Sequence, residues 1–259
     1  MRFQHNPRKR FGQNFLIDQS VIAQIISEIH PQKADRIIEI GPGLGALTRP
    51  LLRMVDHLDV IEIDRDISAW LHHELASEKL TIFTSDALKF DFSSLGRKLR
   101  IIGNLPYNIS TPLLFHLSRF SEHIHDMHFM LQKEVVERMV GAPDTSDYGR
   151  LSVMLQYRFD MERVLDVPAA SFNPVPKVES AVVRMIPKMN PIVLATDEEL
   201  FSKIVTAAFS LRRKTLRNAL YHYLNPEDFI ALKIDPGIRA ENLPLEKFVA
   251  ISNYLSRKD

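Results

Sequence analysis

The chain has 259 residues, 45% of them hydrophobic and 25% charged, with a net charge of +1. That balance describes an ordinary soluble globular protein with enough chain for a full-sized core, and no run approaches the ~20 apolar residues that span a bilayer. Cysteine is absent, which excludes disulfides, thiolate metal sites and a cysteine nucleophile.

The N-terminus, MRFQHNPRKRFGQNFL, is basic but lacks an apolar core and a small-residue cleavage site, so it is no secretory signal and the default location is cytoplasmic. Arg8, Lys9 and Arg10, with Arg2, precede the first acid, Asp18. A second basic run comprises Lys203, Arg212, Arg213, Lys214 and Arg217, with no acid between Leu200 and Pro226. Each cluster fits a solvated surface or contact with a polyanion.

In chain order, a helix is expected over SVIAQIISEIH (20–30), capped by Asp18 or Ser20. Seven apolar stretches then read as strands: 36–41, 58–64, 80–86, 100–106, 127–132, 163–167 and 179–186. Most are near-continuous runs, as expected of strands buried on both faces. Amphipathic helices follow the first, second, fourth and fifth. The last stretch, ESAVVRMI, alternates and suits an antiparallel edge strand. Strands alternating with helices predict a parallel, doubly wound α/β sheet. After Pro187 the pattern turns helical over 197–211, 212–224, 226–234 and 244–257, with Asn225-Pro226 and Pro244 as helix starts. The expected division is therefore a sheet domain over 1–187 and a small all-helical domain over 188–259.

The first strand runs into EIGPGLGALT (39–48). Gly41, Gly43 and Gly45 let the backbone turn tightly and pass close to a ligand. Glu62, at the end of the second strand and about 20 residues on, is placed to hold a ribose diol. The glycine spacing is not the dinucleotide G-x-G-x-x-G. Asp86 ends the third strand and can accept from an adenine amine. An acid there opposes a pyrophosphate and suits the sulfonium of S-adenosylmethionine. Each acid alone also fits a strand-end turn.

The fourth strand ends in NLPYNIS (104–110). The bland reading is a strand stopped by Pro106. The chemical reading is a grip on a flat ring bearing an amino group. The Asn104 side-chain carbonyl and the Leu105 backbone carbonyl accept the two amine hydrogens and turn its lone pair outward. Pro106 fixes the turn and has no competing N–H. Tyr107 stacks on the ring and tolerates developing positive charge. Ten histidines show no metal-ligand spacing, so no metal is expected.

QNFL (13–16), EIGPGLGALT, NLPYNIS, FNPVPKVESAVVR (172–184) and RRKTLRNAL (212–220) together resemble the small-subunit (16S) ribosomal RNA adenine dimethyltransferase family over essentially the whole chain. The resemblance implies a Rossmann-like methyltransferase sheet and S-adenosylmethionine as donor. Its implied substrate is a pair of adjacent adenines in the 3′-terminal hairpin of 16S RNA, in an assembling small subunit. It implies cofactor contacts from Gln13, Asn14, Leu16, Gly41, Gly43, Glu62, Ile63, Asp86, Ala87 and Asn104. It implies a base held by Asn104, Leu105, Pro106 and Tyr107 and stacked on its other face by Phe172, which the residues alone read as a core aromatic. RNA contacts would come from Arg8, Lys9, Arg10, Arg212, Arg213, Lys214 and Arg217. No membrane or metal is implied, and a monomer is expected. Two alternatives stay open: a large-subunit adenine methylase of the antibiotic-resistance type, and a ribosome-assembly or nucleic-acid binding factor on the same fold. FNPVPKV and KTLRN favour the small-subunit family.

Overall fold

The computed structural model describes residues 14–189, 194–211 and 213–258. The elements are β1 (Phe15–Leu16), α1 (Gln19–Ile29), β2 (Arg36–Ile40), α2 (Thr48–Met54), β3 (Leu58–Glu62), α3 (Arg65–Glu74), β4 (Leu80–Thr84), β5 (Leu99–Asn104), α4 (Ser110–Ser118), β6 (Ile124–Gln132), α5 (Lys133–Val140), α6 (Arg150–Gln156), β7 (Phe159–Val167), β8 (Phe172–Asn173), β9 (Ser180–Pro187), α7 (Glu198–Ser210), α8 (Leu216–Ala219), α9 (Pro226–Leu232) and α10 (Leu245–Leu255).

The seven expected strands form one sheet in the order β4-β3-β2-β5-β6-β9-β7. From β4 to β6 every pair is parallel. The strand order reverses between β2 and β5, which opens a crevice at the carboxyl ends of those strands. β9 runs antiparallel to β6, as its alternation suggested. It is not the edge, however, because β7 lies outside it. Ala181, Val182 and Val183 are all buried, so β9 needs cover on both sides. Along β7, Asp160, Glu162, Arg163 and Asp166 are exposed, as suits an edge.

Asp18 caps α1, accepting from the backbone N–H groups of Ser20 and Val21. Val21, Ile22, Ile25, Ile26 and Ile29 then recur at helical spacing and bury one face in a cluster with Val60, Ile102 and Met130 of the sheet. The far end of α1 is held by Arg100 of β5. Its guanidinium forks onto Asp126 of β6, Nε to Oδ1 at 2.9 Å and Nη2 to Oδ2 at 2.7 Å. It also donates to Asp35 and to the Ile29 and His30 carbonyls that close the helix. One buried cation thus joins α1, β5 and β6 and satisfies carbonyls that the helix end leaves open.

The chain divides into two compact units. One holds the described residues up to Val136 and Asp160–Pro187; the other holds Glu137–Phe159 and the residues from Lys188 on. The expected domain limits, 1–187 and 188–259, leave residues 137–159 with the sheet. They go with the helices because Tyr148, Val153 and Tyr157 share a core with Phe201, Val205 and Phe248. Within the helical unit, α9 starts in a reciprocal cap: Asn225 accepts from the Asp228 N–H and Asp228 from the Asn225 N–H, both at 2.9 Å. Among the described residues of the helix expected over 212–224, the helical ones are Leu216–Ala219. The Leu216 and Arg217 N–H groups donate instead to the carbonyls of Ile238 and Pro236.

Arg100→Ala is expected to cost about 3–5 kcal/mol in urea unfolding, because it strands the buried Asp126 carboxylate. Combining Arg100→Met with Asp126→Leu should recover most of that loss; a double variant as unstable as the single would show that the pair's charge is not the issue.

Candidate active site

The crevice at the switch between β2 and β5 opens into a cavity of about 800 Å³. Its floor follows β2. At Gly43 the backbone has φ +53°, and a Cβ there would stand 3.1 Å from the Phe15 ring. Glycine therefore serves both the turn and the approach of β1. Opposite, Gly103 of β5 runs so close to β2 that an added Cβ would lie 2.5 Å from the Ile40 carbonyl oxygen. This closeness brings Asn104 beside Gly41, whose own Cβ would lie 3.9 Å from the Asn104 carbonyl oxygen.

Three carboxylates line the cavity. Glu62 is buried at the end of β3, and its Oε1 accepts from the Asp64 N–H at 2.9 Å. Burial pushes its carboxyl up, while backbone N–H groups of Asp64, Gly43 and Ile63 pull the other way. Asp86 is half-buried, with Oδ1 accepting from the Leu88 N–H at 3.0 Å. The third, Glu39, was not singled out in the sequence. It accepts from the Thr48 hydroxyl at 2.6 Å. Burial, with a smaller push from Glu62, raises its carboxyl to about 7. The signal was available: an acid within RIIEI, a run otherwise suited to burial on both faces.

The NLPYNIS turn forms the remaining wall. Leu105 N–H donates to the Met130 carbonyl at 3.1 Å, and Ile109 N–H to the Pro106 carbonyl at 3.1 Å. The Asn104 Nδ2 donates to the Asn14 backbone carbonyl at 3.0 Å. That bond commits the amide nitrogen and leaves Oδ1 as an acceptor. The Tyr107 ring lines the cavity, and its hydroxyl bonds the Ser180 hydroxyl at 2.9 Å.

Most expected site residues thus converge. Asn14, Leu16, Gly41, Gly43, Glu62, Ile63, Asp86, Ala87, Asn104, Leu105, Pro106 and Tyr107 all line the cavity. Phe172 is not among them. Its ring is 2% exposed, in the cluster with Leu16, Val21, Ile22 and Val182. It belongs to β8, which pairs antiparallel with β1, Leu16 opposite Phe172, next to the segment carrying Asn14. Gln13, Arg8, Lys9, Arg10 and Arg212 lie outside the described residues. Arg213, Lys214 and Arg217 are exposed in the helical unit. Among the described residues no cluster of His, Asp or Glu is placed to hold a metal ion, and no helix is long and apolar enough to cross a membrane.

The family described as ribosomal RNA adenine dimethylase matches residues 4–257. The ribosomal RNA small subunit methyltransferase A of Nitrosospira multiformis is 61% identical over 98% of both chains. Its counterpart in Nitrosomonas europaea is 65% identical over 95% of this chain and 96% of that one. A dimethyladenosine transferase from Plasmodium falciparum superposes with a TM-score of 0.81 at 25% identity, over 94% of this chain and 98% of the other.

Two outcomes follow for the isolated protein. Gly103→Ala should lose about 1–3 kcal/mol in urea unfolding, since β2 and β5 must separate to admit the methyl group; an unmoved midpoint would show the contact to be slack. Glu39 should make stability fall as pH rises from its ordinary value of 4.5 to about 7. In that window the folded chain keeps a proton that the unfolded chain has released. Glu39→Gln should flatten that part of the profile, and an unchanged slope would assign it to another group.

Proposed function

The chain belongs to the ribosomal RNA adenine dimethylase family, and from that premise we propose how its crevice works and on which RNA. It is an S-adenosylmethionine-dependent methyltransferase that acts on adenines of small-subunit ribosomal RNA. The targets are the exocyclic amines of two adjacent adenines in the 3′-terminal hairpin of 16S RNA, each carried to the dimethyl state during subunit assembly. FNPVPKV and KTLRN support this over a large-subunit substrate.

The residues fit the cofactor. Glu39, Glu62 and Asp86 line one cavity, an acceptor set suited to hydroxyls, amines and a cation and opposed to a pyrophosphate. Glu62 would take the ribose hydroxyls and Asp86 the adenine amine. Gly41, Gly43, Ile63, Ala87, Asn14 and Leu16 would form the cradle, with Gln13 beside them. When bound, S-adenosylmethionine supplies a methyl group made electrophilic by its sulfonium.

The observation that carries the mechanism is the orientation of Asn104. With Nδ2 held by Asn14, Oδ1 is left to accept one hydrogen of the target amine, and the Leu105 carbonyl takes the other. Those two bonds draw the nitrogen out of conjugation and aim its lone pair. Pro106 shapes the turn, and Tyr107 lies against the base and tolerates the charge that grows on nitrogen. No general base is required before transfer, because the N–H proton becomes acidic only once nitrogen is cationic. The rate then comes from placement and electrostatics.

The helical unit would hold the RNA backbone with Arg213, Lys214 and Arg217, joined by Arg212 and by Arg8, Lys9 and Arg10. The protein would act as a monomer in the cytoplasm, where subunits are assembled.

Methyl incorporation into unmethylated small subunits, large-subunit RNA and DNA tests the reading. Label should enter small subunits alone, at two adjacent adenines located by mass spectrometry. Label in large-subunit RNA would reassign the substrate. Asn104→Ala should cut transfer by at least about 100-fold while cofactor affinity stays measurable; full activity would remove the amine-gripping account.

A further inference from the structure

We propose that Ser180 is a positioning residue for methyl transfer, acting through the hydroxyl of Tyr107. The inference rests on the reading of Tyr107 as the ring that lies against the target base. Tyr107 follows Pro106 in the turn that ends β5, and its ring is half-buried along the cavity wall. Two side-chain torsions separate the ring from its backbone. A ring tethered at its backbone alone can swing about both. The hydrogen bond from its far end to Ser180, at 2.9 Å, removes that freedom.

The partner is itself fixed. Ser180 is 1% exposed and opens β9, with its Cα opposite Gln132 of β6 in the antiparallel ladder. The preceding residue is held as well: the Glu179 carbonyl accepts from the Lys133 N–H at 3.0 Å. The Lys133 ammonium spans Glu179 and Asp166, at 3.4 and 3.3 Å. The Tyr107 ring is thus tied to the sheet itself, whereas residues 173–179 before it are mostly exposed. The bond also joins NLPYNIS to the end of FNPVPKVES and gives that segment's serine a task once Phe172 is assigned to the core.

A ring that swings still admits the base but presents its face in only part of the encounters. Loss should therefore fall on turnover rather than on subunit affinity, and small misplacements cost large factors. The test compares wild type, Tyr107→Phe, Ser180→Ala, the double variant and Tyr107→Ala on unmethylated small subunits. It reads kcat, KM for subunits, the cofactor dissociation constant and the melting temperature. Tyr107→Phe and Ser180→Ala should each lower kcat by roughly ten-fold, with KM and cofactor affinity near wild type. The double variant should be no worse than either, because both changes delete one bond. Monomethyladenosine should accumulate, since each second transfer needs the amine to be gripped again. Losses that multiply in the double variant, or a wild-type kcat for Ser180→Ala, would overturn the proposal. Full activity of Tyr107→Ala would instead overturn the base-holding reading, and the proposal with it.

Discussion

The site depends on one close approach. At Gly103 the fourth parallel strand runs against the Ile40 carbonyl with no room for a side chain. Parallel strands that diverge at a switch point ordinarily leave a gap there. Here the gap opens one residue later, at Asn104 beside Gly41. The glycine loop from β2 and the amide from β5 therefore share one wall, and a ligand cradled by the first is within reach of the second.

That wall is electrostatically unusual. Two of its three carboxylates, Glu39 and Glu62, are buried, and both are pushed toward the neutral form by burial. A buried acid without a cationic partner is costly unless it titrates or meets a positive ligand. Each has local support, Glu39 from the Thr48 hydroxyl and Glu62 from backbone N–H groups. The support holds the geometry and leaves the charge to be answered by what binds. The arrangement favours a cationic guest over a neutral one of the same shape.

Much of this was legible in the sequence because strand ends concentrate it. Seven strands, the parallel core and the acids at Glu62 and Asp86 follow from apolar runs that stop at polar residues. What sequence missed depends on through-space pairing. ESAVVRMI alternates like an edge strand, yet β7 covers it. Residues 137–159 pack with the helical unit because aromatic side chains there find Phe201 and Phe248, and no local pattern announces that. Phe172 is buried and lies in a two-residue ladder with β1, a pairing across more than 150 positions that no local pattern announces. Glu39 sits inside an apolar run, and its place in the cavity wall becomes visible only through its contact with Thr48.

The β1–β8 ladder has a consequence for synthesis. Asp18 bonds Ser171 across 153 positions of chain, and the segment holding Asn104 in orientation pairs with that late partner. As the chain leaves the ribosome, the glycine cradle, Glu62 and NLPYNIS all emerge before the strand that closes them. The segments that line the pocket are therefore all translated before the strand that pairs with β1. The ladder can form only once Phe172 and Asn173 are available to pair with Leu16 and Phe15.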